Sequence, residues 1–410
     1  MTAFGHRWLD EFPLTRETTY LNHGTVGVTP LVVMRERAAL LDTIERDPAR
    51  FMLRELMRLG ASTAATPVDG PLRLRAAAAR VAAFLGCAAD SLVFVDNATS
   101  GLCAVLRSIS FNTGDEILVP DHAYGGVARA AAFIAQERHI KVKTFALPFP
   151  ATSPERIVAA LEAALTPRTR VALLDHVTSE SALVLPLAEM AALCRARGIA
   201  VLVDGAHAPG AIDVDIEALG VDWYAANLHK WAFAPRACGV LWAAPSRRDG
   251  LHPNVISWGV SDNDWIAEFD WTGTRDPSCW LCAPAGIAFM EDRLGVEAMR
   301  EHNHALAWTG ARELATRWQT NFDTPESMIG CMAAVPLPER LGPPTPANAQ
   351  GIRDKLFFDH RIELPVLAHS GALWARLSIQ VYNEASDLDR VGEAIDAIAG
   401  HGLSPASHDP

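Results

Sequence analysis

The chain has 410 residues, half of them apolar and a fifth charged, with a formal charge of −12. That length exceeds what one hydrophobic core serves and predicts two domains. The acidic balance and the absence of any basic run exclude a nucleic-acid partner, which needs a basic face.

No stretch of about 18 uncharged apolar residues occurs, so no membrane span is expected. The opening "MTAFGHRWLDEFPLT" lacks the apolar centre of a signal peptide. Seven cysteines, mostly scattered in apolar context, suit a reducing cytoplasm.

From about residue 90 short β-branched runs alternate with alanine-rich amphipathic stretches. In order, "SLVFV" reads as a strand, "TSGLCAVLRSI" as a helix, "DEILVP" as a strand and "GGVARAAAFIAQER" as a helix. The strand "KVKTFAL" precedes the helix "SPERIVAALEAAL", and the strand "RVALLDHV" precedes the helix "LAEMAALCRARG". The strands "IAVLVDGA" and "DWYAANL" follow. Continuous apolar strands separated by helices imply an α/β fold, a mostly parallel sheet covered on both faces. In such sheets ligands collect at the carboxyl ends of the strands. The polar residues there are Asn97 to Ser100, Asp121 to Tyr124, His176 to Ser179, Asp204 to His207 and Asn227 to Lys230.

The last third changes character. "MIGCMAAVPLP", "IELPVLA" and "LWARLSIQVYN" read as strands of a smaller antiparallel sheet with helices on one face. "SDLDRVGEAIDAIAGHG" reads as a closing helix, capped by its serine and stopped by Gly400 or Gly402. The expected organisation is an N-terminal arm over 1–19, a large domain over 20–285, a small α+β domain over 286–402 and a disordered tail over 403–410. Cys279 and Cys282 in "SCWLCAP" have zinc spacing but no second pair, and read as a structural helix turn. His302 and His304, two apart, diverge on a helix. No metal site is expected.

In "WYAANLHKWAFAPRACG" one lysine, Lys230, sits among apolar and small residues. Either its stem snorkels to water, or it loses its proton and acts as a nucleophile. Asp204 ends the apolar strand "IAVLVD", where a carboxylate is costly unless it meets a cation. A direct Asp204–Lys230 salt bridge is one solution. The other is a ring between them, with a cationic nitrogen on the aspartate and an aldehyde carbon on the lysine. The strand–helix junction "VFVDNATSGL" offers free N–H groups to an anion such as phosphate, without matching GxGxxG or a P-loop. Pyridinium, aldehyde and phosphate together describe pyridoxal phosphate, which accepts electrons from a carbanion at a substrate Cα.

The ordered motifs "NAT", "DHAYG", "DHVTS", "DGAHAPG", "NLHKW", "GTRDPS" and "RLSIQVYN", with "YLNHGTVG" and "DPARFMLREL", extend this reading. Over about Tyr20 to Ile398 the chain resembles the class V aminotransferase branch of fold-type I pyridoxal phosphate enzymes. Within it the likeness is to isopenicillin N epimerases and hercynylcysteine sulfoxide lyases. The resemblance implies a homodimer with shared active sites and an amino-acid substrate attacked at Cα. Epimerisation is the reaction expected; C–S β-elimination or transamination is the alternative, and a cofactor-binding pseudoenzyme is the reading from another class.

The resemblance also assigns roles. Lys230 would carry the cofactor and Asp204 would pair with its ring nitrogen. His207 and Ser179 would lie near the ring hydroxyl. Ala98, Thr99, Asn227 and His229 would hold the phosphate, and Thr274 would reach the phosphate of the partner subunit. Tyr124 would stack on the ring and act in catalysis, with His122 the second candidate for stacking. Arg376 would bind the substrate α-carboxylate as a planar fork. Asn22 and His23 would touch substrate or simply form a turn. Arg54 would be an anion clamp across the dimer or a solvated helix residue. Cys331, inside an apolar strand, reads as buried and inert, which disfavours desulfurase chemistry.

Overall fold

The computed structural model describes residues 4–57, 71–262 and 264–401. Its strands in chain order are β1 (Thr19–Tyr20), β2 (Leu92–Val95), β3 (Glu116–Pro120), β4 (Lys141–Phe145), β5 (Thr169–Asp175) and β6 (Ala200–Asp204). They continue with β7 (Trp223–Asn227), β8 (Gly239–Ala243), β9 (Met332–Pro336), β10 (Ile362–Glu363), β11 (Val366–His369) and β12 (Ala372–Ser378). Seven build the central sheet in the order β2-β8-β7-β6-β5-β3-β4. Every residue of β3, β6, β7 and β8 is buried, as the unbroken apolar runs demand of strands covered on both faces.

β3 to β7 pair in parallel, but β8 runs antiparallel to both β2 and β7. "GVLWA" is a strand the sequence reading passed over. Its connection from β7 is a short loop with no crossover helix, so the chain can only return antiparallel. That loop carries Lys230.

The smaller sheet is antiparallel in the order β11-β12-β9. Its core gathers Val335, Ala375, Leu377, Ile352 and Ile395 with the inner face of the helix Val296–Trp318. The expected boundary at 285/286 falls inside the helix Ala283–Ala288. Along this helical stretch, side chains as far as Met299 pack into the large core and those from Ala307 into the small one, while Met328, Cys331, Met332, Val381 and Tyr382 return to the large core. The change of core therefore lies within one continuous helix. The arm packs Trp8 and Phe12 into the large core, then β1 pairs in parallel with β10 of the small domain.

The closing helix, Ala385–His401, is not capped as expected. Ser386 lies within it, and Asp387 accepts the Glu384 N–H at 3.1 Å, serving an orphan donor of the first turn. Gly400 is helical rather than a stop; Gly402 and the tail lie outside the described residues. Among the described residues no helix is long and apolar enough to cross a membrane, and no cluster of side chains is suited to a metal ion. Cys279 and Cys282 are buried in a helical turn, and His302 and His304 bond different carbonyls, of Asn383 and Ile329.

Candidate active site

The carboxyl ends of β2, β5, β6 and β7 open on one cavity of about 930 Å³, completed by the arm and by β12. That volume is at the upper end for a site enclosing a drug-sized ligand. Lys230, Asp204, His207, Ser179, Ala98, Thr99, Asn227, His229, Tyr124 and Arg376 all line it. Ten of the expected residues are thus brought together by the fold.

The phosphate end follows from helix capping. The first N–H groups of the helix Ala98–Ser108 have no partner within the helix. Asn97 Oδ1 accepts the Ser100 N–H at 2.9 Å, and Asn227 Oδ1 accepts the Ala98 N–H at 2.8 Å. Ala98 is therefore already engaged, contrary to its expected role as a donor. The Thr99 N–H and hydroxyl remain for an anion, with the Asn227 amide NH₂ beside them. Gly239 allows this approach, since a Cβ there would lie 2.7 Å from Asn97 Cα. His229 Nδ1 bonds the Cys238 carbonyl at 3.0 Å, and burial pulls its pKa down to about 4.

At the other end Asp204 is buried, with Oδ1 accepting the Ala206 N–H at 3.0 Å. Burial raises its pKa, opposed by that hydrogen bond and by Lys230. Lys230 Nζ lies 3.0 Å from His207 Nε2, not on Asp204. Trp231 Nε1 donates to His207 Nδ1 at 3.4 Å. An indole only donates, so Nδ1 accepts and the ring hydrogen on Nε2 faces Lys230, an arrangement that favours the neutral amine. Burial draws the Lys230 pKa down to about 8, with Arg376 adding to the effect and Asp204 opposing it.

Arg376 is buried and forms no ion pair among the described residues. Its Nη1 donates to the Ser179 carbonyl at 2.6 Å, and its Nη2 donates to Thr25 Oγ1 at 2.7 Å and Asn22 Oδ1 at 3.4 Å. Asn22 Nδ2 donates to Glu363 Oε1 at 2.7 Å, which turns the amide oxygen toward the arginine. A buried guanidinium held only by neutral groups is poised for a carboxylate.

Other expectations meet a different geometry. Asn22 orients Arg376 and is absent from the cavity wall. His23 is fully buried, bonding Tyr382 Oη at 2.9 Å and the Lys230 carbonyl at 3.0 Å, so it braces the lysine loop rather than meeting substrate. His122 turns away to Ser181 Oγ at 2.8 Å and packs edge-on against Phe149, which leaves Tyr124 on the wall. Arg54 bonds the Ala49 carbonyl, and neither it nor Thr274 lines the cavity. Cys331 is buried, its thiol pushed up to about 12 by burial. Asp175, Thr25, Arg129, Arg236 and Arg353 line the wall without having been anticipated. Asp175 carries the same signal as Asp204, an aspartate ending an apolar strand; the arginines carry none.

A doubly wound sheet with an anion-ready helix start, a buried carboxylate and an amine-bearing loop at one mouth defines a fold-type I pyridoxal phosphate enzyme. The aminotransferase class-V family profile matches residues 72–335, and the chain belongs to that family. It is 31% identical over 397 residues to the isopenicillin N epimerase of Streptomyces clavuligerus, covering 93% of this chain and 94% of that one. It is 32% identical over 339 residues to an L-cysteine desulfhydrase of Arabidopsis thaliana, covering 75% and 74%. Among solved structures, a variant of C-DES with glycine covalently linked to the PLP cofactor superposes with a TM-score of 0.77 at 21% identity, covering 94% of this chain and 98% of that one. Pyridoxal phosphate is the cofactor of this protein.

Proposed function

We propose that the protein acts at the Cα of an amino-acid substrate as an isopenicillin N epimerase-like enzyme. The observation that carries this reading is the pairing, in one cavity, of a buried Lys230 amine with a buried Arg376 guanidinium that hydrogen-bonds no carboxylate among the described residues. Pyridoxal phosphate bound there supplies the sink for electrons released at Cα. Asp204 holds the ring nitrogen, and Thr99, Asn227 and His229 hold the phosphate. Arg376 fixes the substrate carboxylate, and so orients the Cα–H bond toward Lys230. Lys230 Nζ takes that proton on its face of Cα and keeps it while a proton is delivered from the other face. Epimerisation needs a second acid on the opposite face; with His23 enclosed, Tyr124 takes that role.

β-Elimination of a C–S bond is the second reading, favoured by the enclosure of His23 and by the desulfhydrase relative. It needs Lys230 and a leaving group but no second acid. Incubation with amino acids and cysteine conjugates in deuterated water separates the two. Deuterium at Cα with loss of chirality supports epimerisation, whereas pyruvate and ammonia without racemisation overturn it in favour of elimination. A cofactor form that persists until a keto acid is added indicates transamination. Colour without spectral change toward any substrate indicates a pseudoenzyme. We further propose a cytoplasmic homodimer, in keeping with seven free cysteines and an exposed apolar run at Val255, Ile256, Trp258 and Val260.

A further inference from the structure

Asp175 ends β5 directly beside Asp204 at the end of β6, and the two are register partners in a parallel pair. Adjacent strands lie about 4.8 Å apart, and residues in register point to the same face. Asp175 is 2% exposed and Asp204 4%, and both line the cavity. Their surroundings differ. Asp204 has the Ala206 N–H and the field of Lys230. Asp175 Oδ2 is buried with no hydrogen-bond partner among the described residues; only its own backbone N–H favours the ionised form, and the charges acting on it, from Asp204 and Glu180, are both negative.

The remaining polar groups around the pair are committed elsewhere. Tyr224 of β7 meets His176 Nδ1 at 2.8 Å, Lys230 meets His207, and Arg376 meets Ser179, Asn22 and Thr25. Two carboxylates side by side in a dry site do not both ionise, because desolvation and mutual repulsion act in the same sense. An orphaned buried oxygen is satisfied once it bears a proton that it can donate. The acceptor that the register offers is the Asp204 carboxylate.

We propose that Asp175 is a positioning residue: it stays a neutral carboxylic acid and donates its proton to the Asp204 carboxylate, so that the pair presents a single, oriented negative charge to the ring nitrogen of the cofactor. The proposal rests on Asp204 being the ring-nitrogen partner. Burial and the Asp204 charge both push the Asp175 carboxyl well above the usual carboxylate range. One negative charge then faces one ring cation, and the donated proton fixes the Asp204 rotamer. Replacing the acid with a group that cannot donate leaves Asp204 more negative in effect, which favours positive charge on the cofactor.

The test is infrared spectroscopy of the holoenzyme carrying ¹³C-carboxyl aspartate, at pH 8. At that pH Asp270, which burial pushes up to about 6 against the pull of Arg75, is ionised. The expected result is an aspartic-acid carbonyl band in the unmodified protein that is lost in Asp175→Asn. No such band in the unmodified protein, or a band that survives in Asp175→Asn, overturns the proposal. The first of these needs no variant to fold. Titration of the cofactor's visible absorption gives the second readout. Asp175→Asn, whose amide still donates, keeps the midpoint. Asp175→Leu raises it by about one pH unit, the size of one hydrogen bond to a charged group. Equal midpoints in the two variants overturn the donor role. Neither readout depends on turnover, so a wrong reaction class leaves the Asp175 result intact.

Discussion

Lys230 draws its reactivity from where the chain puts it. The β7–β8 loop buries the amine, His207 presents a ring hydrogen to it, and Arg376 adds a repelling charge. Each effect favours the unprotonated form. With a pKa of about 8 instead of 10.5, the neutral fraction is about a tenth at pH 7 and about nine tenths at pH 9. The rate of cofactor incorporation into apoprotein, followed by visible absorbance, therefore rises with pH through a midpoint near 8 and then levels. An exposed lysine would still be accelerating beyond pH 10. Lys230→Ala abolishes turnover and removes the label that borohydride otherwise fixes on this residue.

Arg376 gives a second prediction at the same scale. Asn22→Ala removes one of its acceptors and cuts the link to Glu363. The guanidinium then loses orientation but not charge. KM for the amino-acid substrate rises about tenfold, the equivalent of one hydrogen bond, with kcat changed much less. A fall in kcat with KM unchanged would place Asn22 in the chemistry instead.

Among the elements, the arm is held by its turn. Gly27 has φ +69°, and a Cβ there would lie 1.8 Å from the His229 carbonyl oxygen, on the loop that carries Lys230. Gly27→Ala therefore forces arm and loop apart. It lowers stability by about 2 kcal/mol or more and weakens cofactor retention, measurable by thermal denaturation and by dialysis against buffer. "LNHGTVG" announced a turn but not what the turn touches. The same limit separates what could be read early from what could not. Apolar runs located β2 to β7, and strand-end logic assembled nine of the ten expected wall residues, because both depend on local pattern; Arg376 came from the family resemblance. β8 was missed because the pattern read was strands separated by helices, and β8 returns from β7 through a loop with no helix before it. The choice for His23 between substrate contact and a turn could not be read, because its enclosure depends on Tyr382, far along the chain. The clustering of Arg129, Arg236 and Arg353 is likewise a product of tertiary contact.

For the molecule as a whole, the proposed dimer has a concrete mark. Trp258 is 81% exposed in a run with exposed Val255, Ile256 and Val260, an apolar stretch suited to an interface. Sedimentation velocity gives a dimer for the unmodified protein, and Trp258→Glu shifts it toward monomer with weaker cofactor retention. A monomeric unmodified protein that retains cofactor overturns both the shared site and the expected reach of Thr274.

The guanidinium of Arg376 joins three stretches far apart in the chain: Asn22 and Thr25 near the start, Ser179 in the middle, and β12 near the end. β1 likewise waits for β10. During synthesis the arm leaves the ribosome first, yet its docking partners are among the last segments made. Contacts of such sequence separation are slow to form, because loop closure precedes any reward. The central sheet can assemble while the N-terminal segment is still free, and the proposed carboxylate anchor, Arg376, appears only after β12 emerges. Nascent chains stalled before residue 360 would carry the complete lysine loop but lack Arg376, the proposed holder of the substrate carboxylate.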